Sequence, residues 1–198
     1  MERSLREGGL LWRMLGAWAD LRRAMRGELD RQPTEGRLLF YAMLSGLIWS
    51  VGELMLVRYS PASAALPEEE FLGNAAAILG GALFVRTLAL YLAAAVAHAI
   101  ARGLGGGGSW RDSRAAMFWA VLVAAPAMVA AALLALMLAD TPRSAGAISD
   151  TLGSLAFAWV AAACIAEAHG FASTWRGLVV VVIMAAMVLA VIAVMALL

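Results

Sequence analysis

Long apolar stretches restrict the folds open to this sequence more than any other feature. The first, LLFYAMLSGLIWSVGELMLV, ends at Val57 and contains one charged residue, Glu53. About 20 helical residues, each rising about 1.5 Å, cross a hydrocarbon core about 30 Å thick. Hydrophobic residues make up 63% of the chain and charged residues only 15%, a balance that a soluble domain of 198 residues could hardly shield from water. The sequence therefore predicts an all-α integral membrane protein.

Helix-start and helix-stop residues divide the chain into an N-terminal segment and five spanning helices. Pro33 ends the N-terminal segment, residues 1–33, and Pro67 suits the first position of the second spanning helix. Ser149 or Asp150 is expected to cap the fourth. The predicted membrane domain, residues 34–198, is a bundle whose helices lie at about 35–57, 67–102, 110–139, 149–169 and 174–198.

An amphipathic helix is predicted within residues 1–33. Its charged face includes Arg13, Asp20 and Arg23. Its apolar face consists of Leu11, Met14, Leu15, Trp18, Leu21, Met25 and Leu29. Such a helix can lie in the headgroup plane of the membrane, or it can pack beneath the bundle. The residues expected to contact the membrane surface or a partner are Trp12, Trp18, Arg22, Arg23 and Arg26. Acidic residues nearly balance the eight arginines of residues 1–37, so no nucleic-acid partner is expected.

The segment HAIARGLGGGGSWRDSRAAMFW joins the second and third spanning helices. Its glycine run cannot hold regular structure and is expected to form a flexible hinge. Ser109, with Asp112 three residues later, forms a capping box for the next helix. The predicted hinge loop comprises Gly105, Gly106, Gly107, Gly108 and Ser109.

The placement of arginine predicts the orientation in the membrane. With the N-terminus inside, the cytoplasmic segments hold twelve arginines and the outer loops hold two. Because positively charged loops remain in the cytoplasm, we expect the N-terminus and the glycine loop there and the C-terminus in the periplasm. The chain has no lysine and is rich in alanine, which is typical of a GC-rich bacterial genome. The expected location is therefore the bacterial inner (cytoplasmic) membrane, with several passes.

Glu53 and Arg86 are the two charges deepest in the predicted spanning helices. Counted from Arg37 and Arg102, each is 16 residues into its helix, or about 24 Å, so the two lie at similar depth. An ion pair between them would reduce the cost of burying either charge. A functional role, such as transport, is the alternative, because charges within a membrane often mark a functional site.

His98, Glu167 and His169 are predicted near the cytoplasmic ends of the second and fourth spanning helices. Metal binding or proton exchange would require these helices to adjoin, and Glu-x-His alone places its two side chains on different faces. A hydrogen-bonded polar cluster is the preferred interpretation. No metal, cofactor or catalytic residue is predicted, since no Ser-His-Asp order stands out and the glycine run lacks the Lys-Ser/Thr of a nucleotide loop.

The order of motifs from Ala97 to about Val182 resembles the Yip1 family of five-helix membrane proteins. The residues that carry the resemblance are Gly106 to Ser109, Pro126, Trp159, Glu167, His169, Gly170, Phe171, Ser173 and Arg176. The resemblance implies a cytoplasmic N-terminus and a bundle of five spans. Eukaryotic members are associated with vesicle trafficking and Rab-type GTPases. Their long acidic cytoplasmic domain and DLYGP-type motif are absent from this sequence, so GTPase binding is not expected.

We therefore expect a non-enzymatic scaffold that organises membrane or a partner complex through its amphipathic segment and the surface of its bundle. Its expected partners are the lipid bilayer and either another membrane protein or a second copy of the chain. The alternative is a small transporter or permeation subunit that uses Glu53, Arg86 and His98. The two hypotheses differ in whether these polar side chains line one continuous cavity or form a closed pair.

Overall fold

The computed structural model of the protein describes residues 9–59, 68–138 and 141–197. Within these ranges the regular structure is helical, and five helices are long and apolar enough to cross a membrane. The predicted all-α class is confirmed, as are the five spanning helices and a helical segment before them. The predicted helix limits at residues 67, 139 and 198, and the first eight residues of the amphipathic segment, lie outside the described residues.

The helices follow one another with short connections. An N-terminal arm, residues 9–33, contains α1 (Leu10–Ala17) and α2 (Leu21–Asp30). The spanning helices are α3 (Glu35–Tyr59), α4 with α5 (Glu68–Gly80 and Arg86–Gly103), α6 (Trp110–Leu138), α7 (Pro142–Ala168) and α8 (Thr174–Leu197). A π-helical turn, Gly81–Val85, joins α4 to α5 in one helix of 36 residues.

The arm is not the single amphipathic helix that the sequence predicts. α1 ends at Ala17, and Asp20 caps α2 by accepting a hydrogen bond of 2.9 Å from the Arg23 backbone N–H. Aspartate is among the best N-cap residues because its side chain satisfies a backbone donor that a helix start leaves free. Local capping therefore interrupts the apolar period. The predicted apolar face is divided into buried residues, among them Met14 and Met25, and exposed ones, Leu11, Leu15 and Trp18.

Helix α7 begins before the predicted start at residue 149. The Thr141 hydroxyl accepts a hydrogen bond of 3.2 Å from the Ser144 N–H, and the Ser144 hydroxyl accepts one of 3.1 Å from the Thr141 N–H. Pro142 follows the cap, at a position where the backbone N–H of any residue would have no acceptor within the helix, so its missing N–H costs no hydrogen bond. This reciprocal capping box fixes the helix start, so Ser149 and Asp150 lie inside α7 and cap nothing.

Helix α6 forms the centre of the bundle and packs against α3, α5, α7 and the arm. Between residues 115 and 125 every side chain of α6 except Val121 is largely buried, and the helix continues through Pro126. Alanines predominate in α6, and small residues let membrane helices approach closely. Helix α8 packs on α7 in the same way, since a Cβ added at Gly177 would overlap the carbonyl oxygen of Ala162.

Candidate functional site

Glu28 of the arm is fully buried at the arm end of the bundle, the end at which α3, α6 and α8 begin. Its Oε1 accepts a hydrogen bond of 2.8 Å from the Tyr41 hydroxyl of α3, and its Oε2 pairs with Arg13. Arg37 Nε lies 3.7 Å from Oε1, and Arg31 Nη1 lies 4.0 Å from Oε2. A carboxylate with this many cationic and polar partners can be buried, and it ties the arm to α3.

Arg13 lies between the arm and the bundle and not on an exposed charged face, where the sequence pattern placed it. Its guanidinium carbon is 5.0 Å from the centre of the Trp119 ring, and its side chain is mostly buried. Burial lowers the pKa of Arg13 from its ordinary value. Arginine nevertheless stays charged at neutral pH, so Arg13 supplies the cation that neutralises Glu28.

Glu167, near the end of α7, forms a second attachment of the arm. Arg22 Nε donates a hydrogen bond of 2.9 Å to its Oε2, and Arg26 Nε donates one of 2.6 Å to its Oε1. Arg22 also donates to the carbonyl oxygens of Phe171 and Ala172, at 2.7 and 3.1 Å. One arginine of the arm thus binds both the acidic side chain and the backbone of the turn that follows α7.

These contacts correct two predictions. Glu167 does not join His98 and His169 in one polar cluster, because side chains two residues apart on a helix point in different directions and the arm lies on the Glu167 side. Arg22 and Arg26, predicted to face the membrane surface or a partner, bind the bundle of their own chain. The hydrogen bond to Glu167 raises the pKa of Arg26, and attraction to the same carboxylate acts in the same direction.

The arm also presents an apolar ridge, defined by Leu11, Trp12, Leu15 and Trp18, all of which are exposed. Trp12 is the most exposed of the four, at 66%. The indole N–H of Trp18 donates a hydrogen bond of 3.2 Å to the Val123 carbonyl oxygen. Val123 comes 13 residues after the start of α6, or about 20 Å along the helix. The ridge therefore lies beside a spanning helix and not beneath its end.

A groove of about 530 Å³ lies along the arm beside this ridge, between α1 and α2. The charged residues that line the groove are Arg13, Asp20, Arg23, Arg26, Asp30 and Arg31. Three of its four arginines already pair with carboxylates of the same chain, Arg13 and Arg31 with Glu28 and Arg26 with Glu167. Arg23, predicted to contact the membrane surface, lies in this groove.

His98 and His169 are brought together by Ser113, in the second turn of α6. The Ser113 hydroxyl oxygen lies 2.9 Å from His98 Nδ1 and 2.8 Å from His169 Nε2. Burial lowers the pKa of His169, and the neighbouring His98 acts in the same direction, so the neutral ring is favoured. His169 Nδ1 is buried and has no hydrogen-bond partner among the described residues. The predicted hydrogen-bonded cluster therefore forms from two of its three members, with Ser113 as a third that the sequence reasoning missed.

The glycine loop packs tightly against this histidine pair. The Gly107 N–H donates a hydrogen bond of 3.0 Å to the His169 carbonyl oxygen. A Cβ added at Gly106 would lie 2.8 Å from His169 Nδ1, and one added at Gly108 would overlap the Ala168 carbonyl oxygen. Glycine is thus needed at these positions for close packing. The prediction of a flexible hinge explained the glycines by flexibility alone. Ser109 forms its expected capping box with Asp112, whose backbone N lies 3.2 Å from the serine hydroxyl oxygen. Among the five residues of the predicted hinge loop, only Gly105 has a positive φ, 85°.

Glu53 of α3 and Arg86 of α5 form an ion pair within the spanning region. The Arg86 guanidinium carbon also lies 4.4 Å from the centre of the Trp49 ring, a cation–π distance. Nη1 of Arg86 and the hydroxyl of the next residue, Thr87, are buried without a hydrogen-bond partner among the described residues. The structure thus brings together the two charges expected at similar depth and leaves one guanidinium nitrogen available.

A cavity of about 270 Å³ lies beside Arg86 and is lined by residues from all five spanning helices. Small and apolar side chains predominate, among them Ala42, Gly46, Leu90, Met117, Phe157 and Met184. Of the three residues in the transport hypothesis, Glu53, Arg86 and His98, only Arg86 is part of the lining. His98 instead bonds Ser113 at the arm end.

The described residues therefore define a class, the helical membrane proteins with five spans and an N-terminal arm packed on the bundle. A family model described as the Yip1 domain matches residues 16–195, which include α2 and all or most of every spanning helix. The chain belongs to the Yip1 family. No curated protein and no solved structure matches it.

Proposed function

We propose that the protein is a non-enzymatic scaffold of the bacterial inner membrane. Its arm is the surface that binds the bilayer and a partner, which is either another membrane protein or a second copy of the chain. The observation that supports this proposal is that the arm is attached to the bundle and still exposes an apolar surface. The buried Glu28 and Glu167 hold the arm, whereas Leu11, Trp12, Leu15 and Trp18 of the ridge are exposed.

The ridge has the composition of an interfacial membrane element. Tryptophan and leucine side chains enter the boundary between headgroups and acyl chains. Because the arm is fixed to α3 and α7, the ridge would insert at a constant position relative to the bundle. A fixed, lipid-facing arm can order neighbouring lipids or proteins without any catalytic group.

Quenching of Trp12 by lipids with brominated acyl chains tests this proposal in the full chain reconstituted in anionic vesicles. The Trp12 emission is the part of the tryptophan fluorescence that Trp12→Phe removes. We expect brominated lipid to quench this part strongly. The double variant Leu11→Glu with Leu15→Glu should abolish that quenching, because two charges on the ridge oppose insertion. Leu104→Glu is the control, since Leu104 is also exposed but lies between α5 and the glycine loop, away from the arm sequence. A Trp12 signal that brominated lipid does not reach would overturn the proposal.

The proposed orientation has the N-terminus and the glycine loop in the cytoplasm and the C-terminus outside, because the loops at the arm end carry most of the arginines. Reporter fusions after Gly106 and after Leu198 test it. A reporter that is active only in the cytoplasm should work after Gly106 and fail after Leu198; the reverse result would invert the topology.

A further inference from the structure

The cavity beside Arg86 is large enough to hold part of a ligand. Its volume of about 270 Å³ exceeds that of engineered cavities of about 150 Å³, which stay dry and bind benzene. Its lining includes Trp49, Phe157 and three methionines, Met117, Met128 and Met184. Methionine adapts its shape to an irregular apolar guest, so a flexible hydrocarbon chain suits this lining better than water does.

Arg86 gives the cavity one polar requirement. Its Nη1 is buried and has no acceptor among the described residues, although another nitrogen of the same guanidinium pairs with Glu53. A buried N–H without an acceptor is unfavourable, and a ligand oxygen would relieve it. Because Glu53 already neutralises the charge of Arg86, a carboxylate ligand would leave a net negative charge in an apolar site. The best acceptor is therefore a neutral carbonyl oxygen.

The backbone beside Arg86 is also unusual. The π-helical turn Gly81–Val85 ends directly before Arg86, and π-helical turns are rare and frequently occur at functional sites. The hydroxyl of Thr87, the residue after Arg86, is a second buried polar group without a partner among the described residues. The irregular turn and the two unsatisfied polar groups are therefore consecutive in the chain, and Arg86 joins them to the cavity that it lines.

The cavity is accessible from the lipid side of the bundle. Ala89 lines the cavity and is also exposed on the surface of α5. Lipid surrounds a spanning helix, so acyl chains of the bilayer can reach the cavity through this opening. We propose that the cavity binds one fatty-acyl chain of an ester lipid, with Arg86 Nη1 donating a hydrogen bond to the ester carbonyl oxygen.

Native mass spectrometry of the full chain in detergent tests the proposal with two probes of the same chain length, monoolein and oleate. We expect a saturable complex with one monoolein and about tenfold weaker binding of oleate, since only the ester supplies a neutral acceptor. Oleate bound as tightly as monoolein would overturn the assignment of a neutral ester. Binding of either probe without saturation would overturn the site itself.

A pair of phenylalanine substitutions on α5 locates the bound chain. Ala93 lines the cavity, whereas Ala95 is exposed and outside the lining. Ala93→Phe should weaken monoolein binding about tenfold, and Ala95→Phe, which adds the same volume on the outer surface, should leave it unchanged. Equal binding by the two variants would overturn the proposal.

A fluorescence measurement on the parent chain covers the case in which Ala93→Phe does not fold. Trp49 lines the cavity beside Arg86. A dibrominated stearoyl glycerol ester should quench a saturable part of the tryptophan emission that Trp49→Phe removes. The absence of any saturable, Trp49-dependent quenching would exclude an acyl chain from this cavity.

Discussion

Arg22 of the arm and Glu167 of α7, which are 145 positions apart in the chain, are joined by a hydrogen bond of 2.9 Å between Nε and Oε2. The same guanidinium binds the carbonyl oxygens of Phe171 and Ala172, in the turn that follows α7. The arm therefore depends on the last spanning helices as well as on α3. The position of the arm is thus set by two attachments, one through Glu28 and one through Glu167, and separate substitutions can test them.

Glu28→Gln should lower the free energy of unfolding by about 3–5 kcal/mol, because Arg13 would lose the buried carboxylate that neutralises it. Thermal unfolding in detergent measures the effect. Asp30→Asn is the matched control on the same helix, since Asp30 is exposed and such surface changes alter stability by about 0.5 kcal/mol or less. The same melting temperature in both variants would contradict a role for buried Glu28.

Glu167→Gln should loosen the arm without unfolding the bundle, because it removes the charge that two arginines share. The loss of charge-assisted hydrogen bonds is expected to reduce the local stability of the arm by about 1.5–3 kcal/mol. Hydrogen exchange of residues 10–30 measures this loss. Glu35→Gln is the control, since Glu35 pairs with Arg114 of α6 and not with the arm. Unchanged exchange in Glu167→Gln would assign the attachment to Glu28 alone.

Glu53→Gln and Arg86→Gln should each lower the melting temperature in detergent, because each leaves its partner as an unpaired charge in the spanning region. Translocon scales assign about 2.5–3.5 kcal/mol to such a charge at the centre of a helix. The double variant should lose less stability than the two single losses combined, since no orphaned charge remains. Additive losses would show that the pair contributes no coupling. A stable double variant that abolishes a solute or proton flux would favour the transport hypothesis.

Gly108→Ala should destabilise the arm end by about 1–3 kcal/mol, because its Cβ would overlap the backbone oxygen of Ala168. Gly107→Ala is a matched control in the same loop, since the nearest atom to its Cβ, the His169 carbonyl oxygen, is 4.0 Å away. Thermal unfolding compares the two variants directly. A loop that acts only as a flexible hinge would respond equally to both substitutions.

The stability of the protein should fall as the pH drops below about 6.5, because burial lowers the pKa of His169 in the folded state. The unfolded chain then binds more protons than the folded one, so the stabilisation is complete above the unfolded pKa and is lost as the pH falls through the folded pKa. His98 and Arg102 also oppose protonation, whereas Asp112 favours it.

Melting temperatures between pH 5 and 8 check this dependence. His169→Gln should flatten the profile in this range, and His98→Gln, on the other side of the Ser113 hydroxyl, should retain a decline at low pH. Parallel profiles for the parent chain and His169→Gln would assign the pH dependence to another group.

The spanning helices could be predicted because their length and apolarity are set by the bilayer alone. The residues Glu53 and Arg86 could be paired in advance for the same reason, since depth follows from a count of helical residues. The partners of Glu167 could not be predicted, because they depend on which element packs on each face of α7. A Glu-x-His spacing indicates only that the two side chains diverge.

The arm was harder to predict because two signals in it compete. Its apolar period favours one helix, but the capping side chain of Asp20 favours a break, and the cap prevails in the structure. Glu28 follows Met25 by three positions and so shares its face, and an acidic residue in an apolar face signals a buried partner. That signal was present in the sequence, whereas the identity of the partner, Arg13 across the break, required the fold.

The 36-residue helix formed by α4, the π turn and α5 is about 54 Å long, nearly twice the thickness of a hydrocarbon core of about 30 Å. Its first turn carries three glutamates, residues 68–70, which hydrocarbon excludes. The excess length must therefore protrude on the side opposite the arm, or the helix must tilt. The ridge lies at one side of the membrane and the acidic turn at the other, so the length of this helix and the thickness of the hydrocarbon core are mismatched. The helix should consequently change its tilt between bilayers of different thickness, and the protein should be enriched in membranes whose thickness reduces the mismatch.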